Sequence, residues 1–106
     1  MKIICIGHNY HAHNREMDSK TPSAPVYFLK PDTALLIRNR PFFLPDFSNR
    51  IEYEVELLVK ICKVGKNIQK KFAATYYHEI GLGIDFTARD LQHKCRTEGE
   101  PWEIAK

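Results

Sequence analysis

The chain has 106 residues, 43% of them hydrophobic, and a formal net charge of +3. That length carries one domain with a single core, and a charge so small and dispersed does not point to nucleic acid. Three scattered cysteines, Cys5, Cys62 and Cys95, give neither a disulfide framework nor a thiolate zinc site, and the first apolar run is too short for a signal segment or a bilayer span. The expectation is a cytoplasmic protein with no nucleic-acid and no membrane partner.

Lys2 to Ile6 is an apolar run of strand length, closed by Gly7. His11 to Asp18 reads as a short helix, and the two prolines between Ser19 and Pro25 break it. Val26 to Lys30 and Ala34 to Ile37 read as two short strands separated by Pro31 and Asp32, a spacing that suggests a β-built core. Ile51 to Val64 is the longest strand expected, with Tyr53, Val55 and Leu57 alternating with Glu52, Glu54 and Glu56. Asn67 to His78 places Phe72, Ala73, Tyr76 and Tyr77 at helical spacing behind a potential N-cap, Asn67. Gly81 to Phe86 returns to strand. Thr87 and Asp90 then resemble a capping box that starts a helix running to about Glu98, stopped by Gly99 and Pro101.

Period two puts Glu52, Glu54 and Glu56 on one strand face. Such rows are commonly the solvated face of a sheet, and spacing alone favours that reading. The alternative is a hard cation: oxygen ligands suit magnesium, calcium or manganese, and Asp85, at the end of an apolar strand, is the natural third acid. His13 and Glu16 share a helix face and could form a water-activating pair, although surface pairs at this spacing are plentiful. Arg89, Gln92 and Lys106 could grip a carboxylate, and Trp102 could pack over a pocket.

Taken in order, CIGHNYHAHNREM, VYFLKP, EYEVEL, GIDFTARDLQ and GEPWEIAK resemble the fumarylacetoacetate hydrolase family over essentially the whole chain. The resemblance implies a mostly β fold with short helices (α+β), the family's mixed β-roll, here incomplete. It implies Mg2+ or Mn2+ held by Glu54, Glu56 and Asp85, with Glu52 dropping out. By the same matching, His13 and Glu16 activate water, Lys106 is the active-site lysine, and Arg89 and Gln92 line the substrate site. One departure is His8, in GHNY, where the family usually reads GRNY; a titratable ring replaces a permanently charged fork.

The implied activity is metal-dependent hydrolysis of a carbon–carbon bond in a small anionic 2-oxo acid such as an acylpyruvate, or decarboxylation of oxaloacetate. An isomerase or tautomerase of an unsaturated 2-oxo acid is the alternative, and a catalytically inactive fragment or interaction module is a third. The family's smallest members are roughly twice this length, so residues 1–106 are expected to be the N-terminal half of one catalytic domain. Its bare edges and apolar faces would then need cover, from a homodimer in the full-length form or from a complementing C-terminal fragment.

Overall fold

The computed structural model describes residues 1–106. Strand β1 (Ile3–Gly7) pairs antiparallel with β2 (Val26–Lys30), and the short helix α1 (His11–Glu16) lies between them in sequence. Strand β3 (Ile51–Ile61) pairs antiparallel with β4 (Tyr77–Ala88), which runs directly into helix α2 (Arg89–Glu98). Single 3-10 turns occupy Asp32–Ala34 and Trp102–Ile104, and a longer 3-10 helix occupies Lys70–Tyr76. Two antiparallel two-stranded sheets with short helices are the α+β arrangement expected from sequence.

Four expectations change. Ala34–Ile37 forms no strand: Asp32–Ala34 is a 3-10 turn, Arg38 and Asn39 reverse the chain at positive φ, and Leu35, Leu36 and Ile37 lie exposed with no partner strand. An apolar tetrapeptide becomes a strand only where a neighbour satisfies its backbone, which local sequence cannot report. Asn67–His78 is not an α-helix either. Asn67 sits at φ 56, whereas an N-cap needs extended backbone, and Tyr77 is already paired with Ile61 across the hairpin. The aromatic face expected inside is half open, with Phe72 at 49% exposure.

The long strand ends at Ile61, short of Val64, at a register shift beside Lys60. The capping box does not close: Ala88 holds the N-cap position, the Thr87 hydroxyl donates to the Asp85 carbonyl, and Asp90 accepts from Ser48 (2.6 Å) and the Asn49 amide (3.0 Å). The stop at Gly99 is as read, in left-handed backbone at φ 72, where a side chain would be strained.

Only 10 of 106 residues are buried, and six of those are polar or charged: Asn14, Ser48, Asp85, Thr87, Arg89 and Gln92. The best-packed region therefore lies around a polar site instead of an apolar core. The two sheets are linked there by the ion pair of Lys30 on β2 with Asp85 on β4, and by the C-terminal turn, whose Trp102 ring lies 5.8 Å from that of Phe28 and whose Ala105 carbonyl accepts from the Ala88 amide (2.8 Å).

Candidate metal centre

Register decides which acids meet. Glu54 stands directly opposite Asp85, Glu52 opposite Thr87, and Glu56 opposite Gly83, so one hairpin face carries all four acids. Glu54, Glu56 and Asp85 each offer a carboxylate oxygen within 4.8 Å of the others. Glu52 does not join them. Its carboxylate accepts from Arg50 Nε (2.6 Å) and Arg89 Nε (2.7 Å), and although burial opposes it, these bonds hold the Glu52 carboxyl below its ordinary pKa.

Arg89, at the start of α2, is a three-way clamp. Besides Glu52, its Nη2 donates to Glu54 (2.9 Å) and its Nη1 to Gln92 one helical turn on (2.5 Å). Burial disfavours the guanidinium charge, but bonds to Glu52 and Glu54 outweigh it and raise the Arg89 pKa. Its fork is divided among Glu52, Glu54 and Gln92, which fixes the Glu54 carboxylate in place.

Lys106 reaches Glu54 (2.5 Å) and the Thr87 hydroxyl (3.0 Å), with its side chain 4% exposed. Its ammonium is also 3.0 Å from Asp85 Oδ2. That approach lies outside hydrogen-bond geometry, so Oδ2 is buried with a charge beside it and no donor. Lys30, from the end of β2, bonds Asp85 Oδ1. Lys30 is a site residue that the sequence does not single out: alternation along β2 puts it on the face of Phe28, but only the fold sets that face against Asp85.

Glu56 has no ion-pair or hydrogen-bond partner. Burial, then the neighbouring Asp85, push its carboxyl pKa up. A half-buried acid without a partner next to a buried orphan oxygen, with a third carboxylate held in place, is a donor set that fits a hard divalent cation. Three carboxylates among Lys30, Lys106 and Arg89 are near charge balance, so a dication would leave the site positive and favour an anionic ligand.

Every residue expected at the site except Asp85 lines one cavity of about 370 Å³. His13 lies between the other groups, Nε2 3.7 Å from Glu54 and Nδ1 3.9 Å from Glu16, too long for hydrogen bonds in either direction. Glu16 is 76% exposed at the rim. The turn carrying α1 is fixed by Asn14, which donates to the His8 carbonyl (2.8 Å), and by the Tyr10 hydroxyl, which accepts from the Leu57 amide (3.0 Å); neither was singled out from sequence. His8 holds a left-handed backbone at φ 56 with its ring edge-on to Trp102, which itself lines the cavity. Burial, then the positive charge of Arg96, lower the His8 pKa, so the ring is neutral at pH 7.

Residues 2–106 match the family model described as fumarylacetoacetate (FAA) hydrolase C-terminal. The chain is 40% identical over 104 residues to the Bos taurus protein named oxaloacetate tautomerase FAHD1, mitochondrial, covering 98% of this chain and 47% of that one. It superposes with a TM-score of 0.92 and 34% identity on a fumarylpyruvate hydrolase from Pseudomonas aeruginosa in complex with Mn2+ and pyruvate, covering 100% of this chain and 48% of the other. A 5-carboxymethyl-2-hydroxymuconate delta-isomerase from Mycobacterium smegmatis aligns with a TM-score of 0.79 and 38% identity, covering 99% and 40%. The chain thus spans about half the length of the curated relatives it matches.

Proposed function

Since the chain belongs to the fumarylacetoacetate hydrolase family, we propose that residues 1–106 are the N-terminal half of one catalytic domain acting on a small anionic 2-oxo acid. The observation that carries this reading is the cross-strand pair Glu54–Asp85, joined by unpartnered Glu56 at a cavity lined by His13, Arg89, Gln92 and Lys106. Glu54, Glu56 and Asp85 would hold Mg2+ or Mn2+. When bound, the cation supplies a Lewis acid for the oxo and carboxylate oxygens of the substrate.

The chain's own groups do the rest. Arg89, with Gln92 behind it, keeps Glu54 aimed at the centre and lines the substrate cavity. Lys106 offsets the carboxylates and gives an incoming anion a positive neighbour. In hydrolysis of an acylpyruvate, His13 Nε2 accepts the proton of a water that attacks the acyl carbonyl, with Glu16 orienting the ring from Nδ1; the bond from the acyl carbon to the pyruvyl methylene then breaks, releasing a carboxylic acid and a pyruvate enolate, which takes up the proton. Decarboxylation of oxaloacetate needs no attacking water and so leaves His13 idle. Tautomerisation is the second reading, supported by the name of the bovine relative and by the long His13–Glu16 separation of 3.9 Å; it requires one proton moved between carbon and oxygen. The proposed compartment is a reducing cytoplasm, consistent with three free cysteines; no helix is long and apolar enough to cross a membrane. The cover for its bare faces is a homodimer of the full-length form or a complementing C-terminal fragment.

Calorimetric titration with Mn2+ tests the centre. Binding to the full chain, lost in Glu54→Gln and Glu56→Gln, is the expected result, and equal binding in those variants would sink the assignment. Assays of acylpyruvate hydrolysis, oxaloacetate decarboxylation and oxaloacetate tautomerisation separate the chemistries. His13→Ala should abolish the first and spare the second; unchanged hydrolysis removes its water-activating role.

A further inference from the structure

We propose that the tip of the β3–β4 hairpin docks the protein onto the surface of an anionic lipid bilayer. Five of the sixteen basic residues, Lys60, Lys63, Lys66, Lys70 and Lys71, fall within residues 60–71, and none of the thirteen acids does. The remaining eleven basic and thirteen acidic residues leave the rest of the chain at −2. The modest overall charge, which sequence reading took as dispersed, therefore hides one concentrated positive end. It lies about 20 Å along β3 from Glu54, taking some 3.3 Å per residue to Lys60, and so is separate from the metal centre.

Lys60 is tied to Glu79 (2.8 Å), but Lys63, Lys66, Lys70 and Lys71 have no carboxylate partner. The loop that carries them is shaped. A Cβ at Gly65 would meet Tyr76 Cε1 at 2.5 Å and Ile68 Cδ1 at 2.6 Å, so a side chain there would displace both. With Ile68 and Tyr76 packed on one side of Gly65, its neighbour Val64 is left 99% exposed between Lys63 and Lys66. An exposed aliphatic residue in a loop that carries four lysines without carboxylate partners matches the boundary of a bilayer, where headgroup phosphates meet acyl chains.

Single-stranded nucleic acid is the competing polyanion, and the aromatic rings argue against it. Lys63 Nζ lies 4.5 Å over the Tyr76 ring and Lys71 Nζ 4.9 Å over the Phe72 ring, so a cation already occupies one face of each ring where a base would stack. Lys63 also lines a shallow recess with Asn67, Gln69 and Thr75, which adds amide and hydroxyl groups for a headgroup phosphate. Nothing here spans the membrane; the contact is peripheral and electrostatic.

Co-sedimentation of the full chain with vesicles of mixed phosphatidylserine and phosphatidylcholine, against pure phosphatidylcholine, tests the proposal. Binding should need phosphatidylserine, weaken as salt rises, and fall about fivefold for each lysine removed in the series K63Q, K66Q, K70Q and K71Q. V64S should weaken binding at constant charge, which a purely ionic contact would not show. Mn2+ titration of each variant should match the parent protein, since none of these residues touches the metal centre, and this separates lost docking from lost folding. Equal binding to both vesicle types, no binding to either, or full binding by the quadruple variant would overturn the proposal. Tighter capture of a fluorescent single-stranded oligonucleotide than of vesicles would overturn it in favour of nucleic acid.

Discussion

The β3–β4 hairpin has two unlike faces, and the one opposite the acids should control the state of the chain in solution. Tyr53, Val55, Leu57, Val59, Ile80, Leu82 and Ile84 are between 49% and 74% exposed, a run of apolar side chains with nothing over them. Full burial of an aliphatic side chain is worth about 1.5–3 kcal/mol, so at 61% and 72% exposure Leu57 and Leu82 together could still gain about 3 kcal/mol on being covered. The chain is therefore expected to associate at micromolar concentration through this face. Leu57 and Leu82 are cross-strand partners, so Leu57→Lys with Leu82→Glu replaces an apolar pair by an opposite-charge pair and keeps the hairpin register. The loss, about 3 kcal/mol per copy and so about 6 kcal/mol for a dimer of two such faces, corresponds to about four orders of magnitude in dissociation constant. Sedimentation velocity should then show assembled parent protein and monomeric variant. A parent chain that runs as a sharp monomer and melts cooperatively, or a variant that assembles equally well, would refute the reasoning.

Two further outcomes follow from the site. Arg89→Lys cannot serve Glu52, Glu54 and Gln92 at once; it should cost about 2 kcal/mol in thermal stability and weaken Mn2+ binding, and unchanged binding would show that the clamp does not position Glu54. Stability should also fall on acidification. Glu52, despite its burial, is held low by Arg89 and Arg50, and Asp90 is held low chiefly by Ser48; a depressed carboxyl contributes stability above its unfolded pKa and loses it as pH drops through the folded one. Glu56, raised by burial and Asp85, acts with the opposite sign, favouring the fold when protonated. Three depressed carboxyls, the third being Glu79 beside Lys60, against one raised predict a melting midpoint that declines below about pH 4, and a midpoint that climbs there would contradict the assigned partners.

The centre also shows how a weakly cored chain can still hold a site. Its buried groups are tied by ion pairs between separate elements: Lys30 on β2 to Asp85 on β4, Lys106 from the C-terminal segment to Glu54, and Arg89 at the start of α2 to two acids on β3. Removing one partner of such a set leaves a buried charge uncompensated, which costs more than the pair itself supplies. The same residues thus support both local order and proposed function.

Alternation along β3 put Glu52, Glu54 and Glu56 on one face, apolar runs located four strands, and Gly99 marked the end of α2, because each rests on interactions within a few residues. Ordered motifs pointed to the family, since local chemistry at fixed spacing survives in the sequence itself. Motif matching already named Glu54, Glu56 and Asp85 and left out Glu52; tertiary structure supplied the physical reason. Register, a property of two strands, set Asp85 against Glu54, and Arg89 drew Glu52 away from Glu56. It also brought Lys30 to Asp85 across 55 positions, denied Leu35–Ile37 a partner strand, and left one face of the longest hairpin bare. Those outcomes depend on what lies opposite a residue in space, and no single stretch of sequence contains that information.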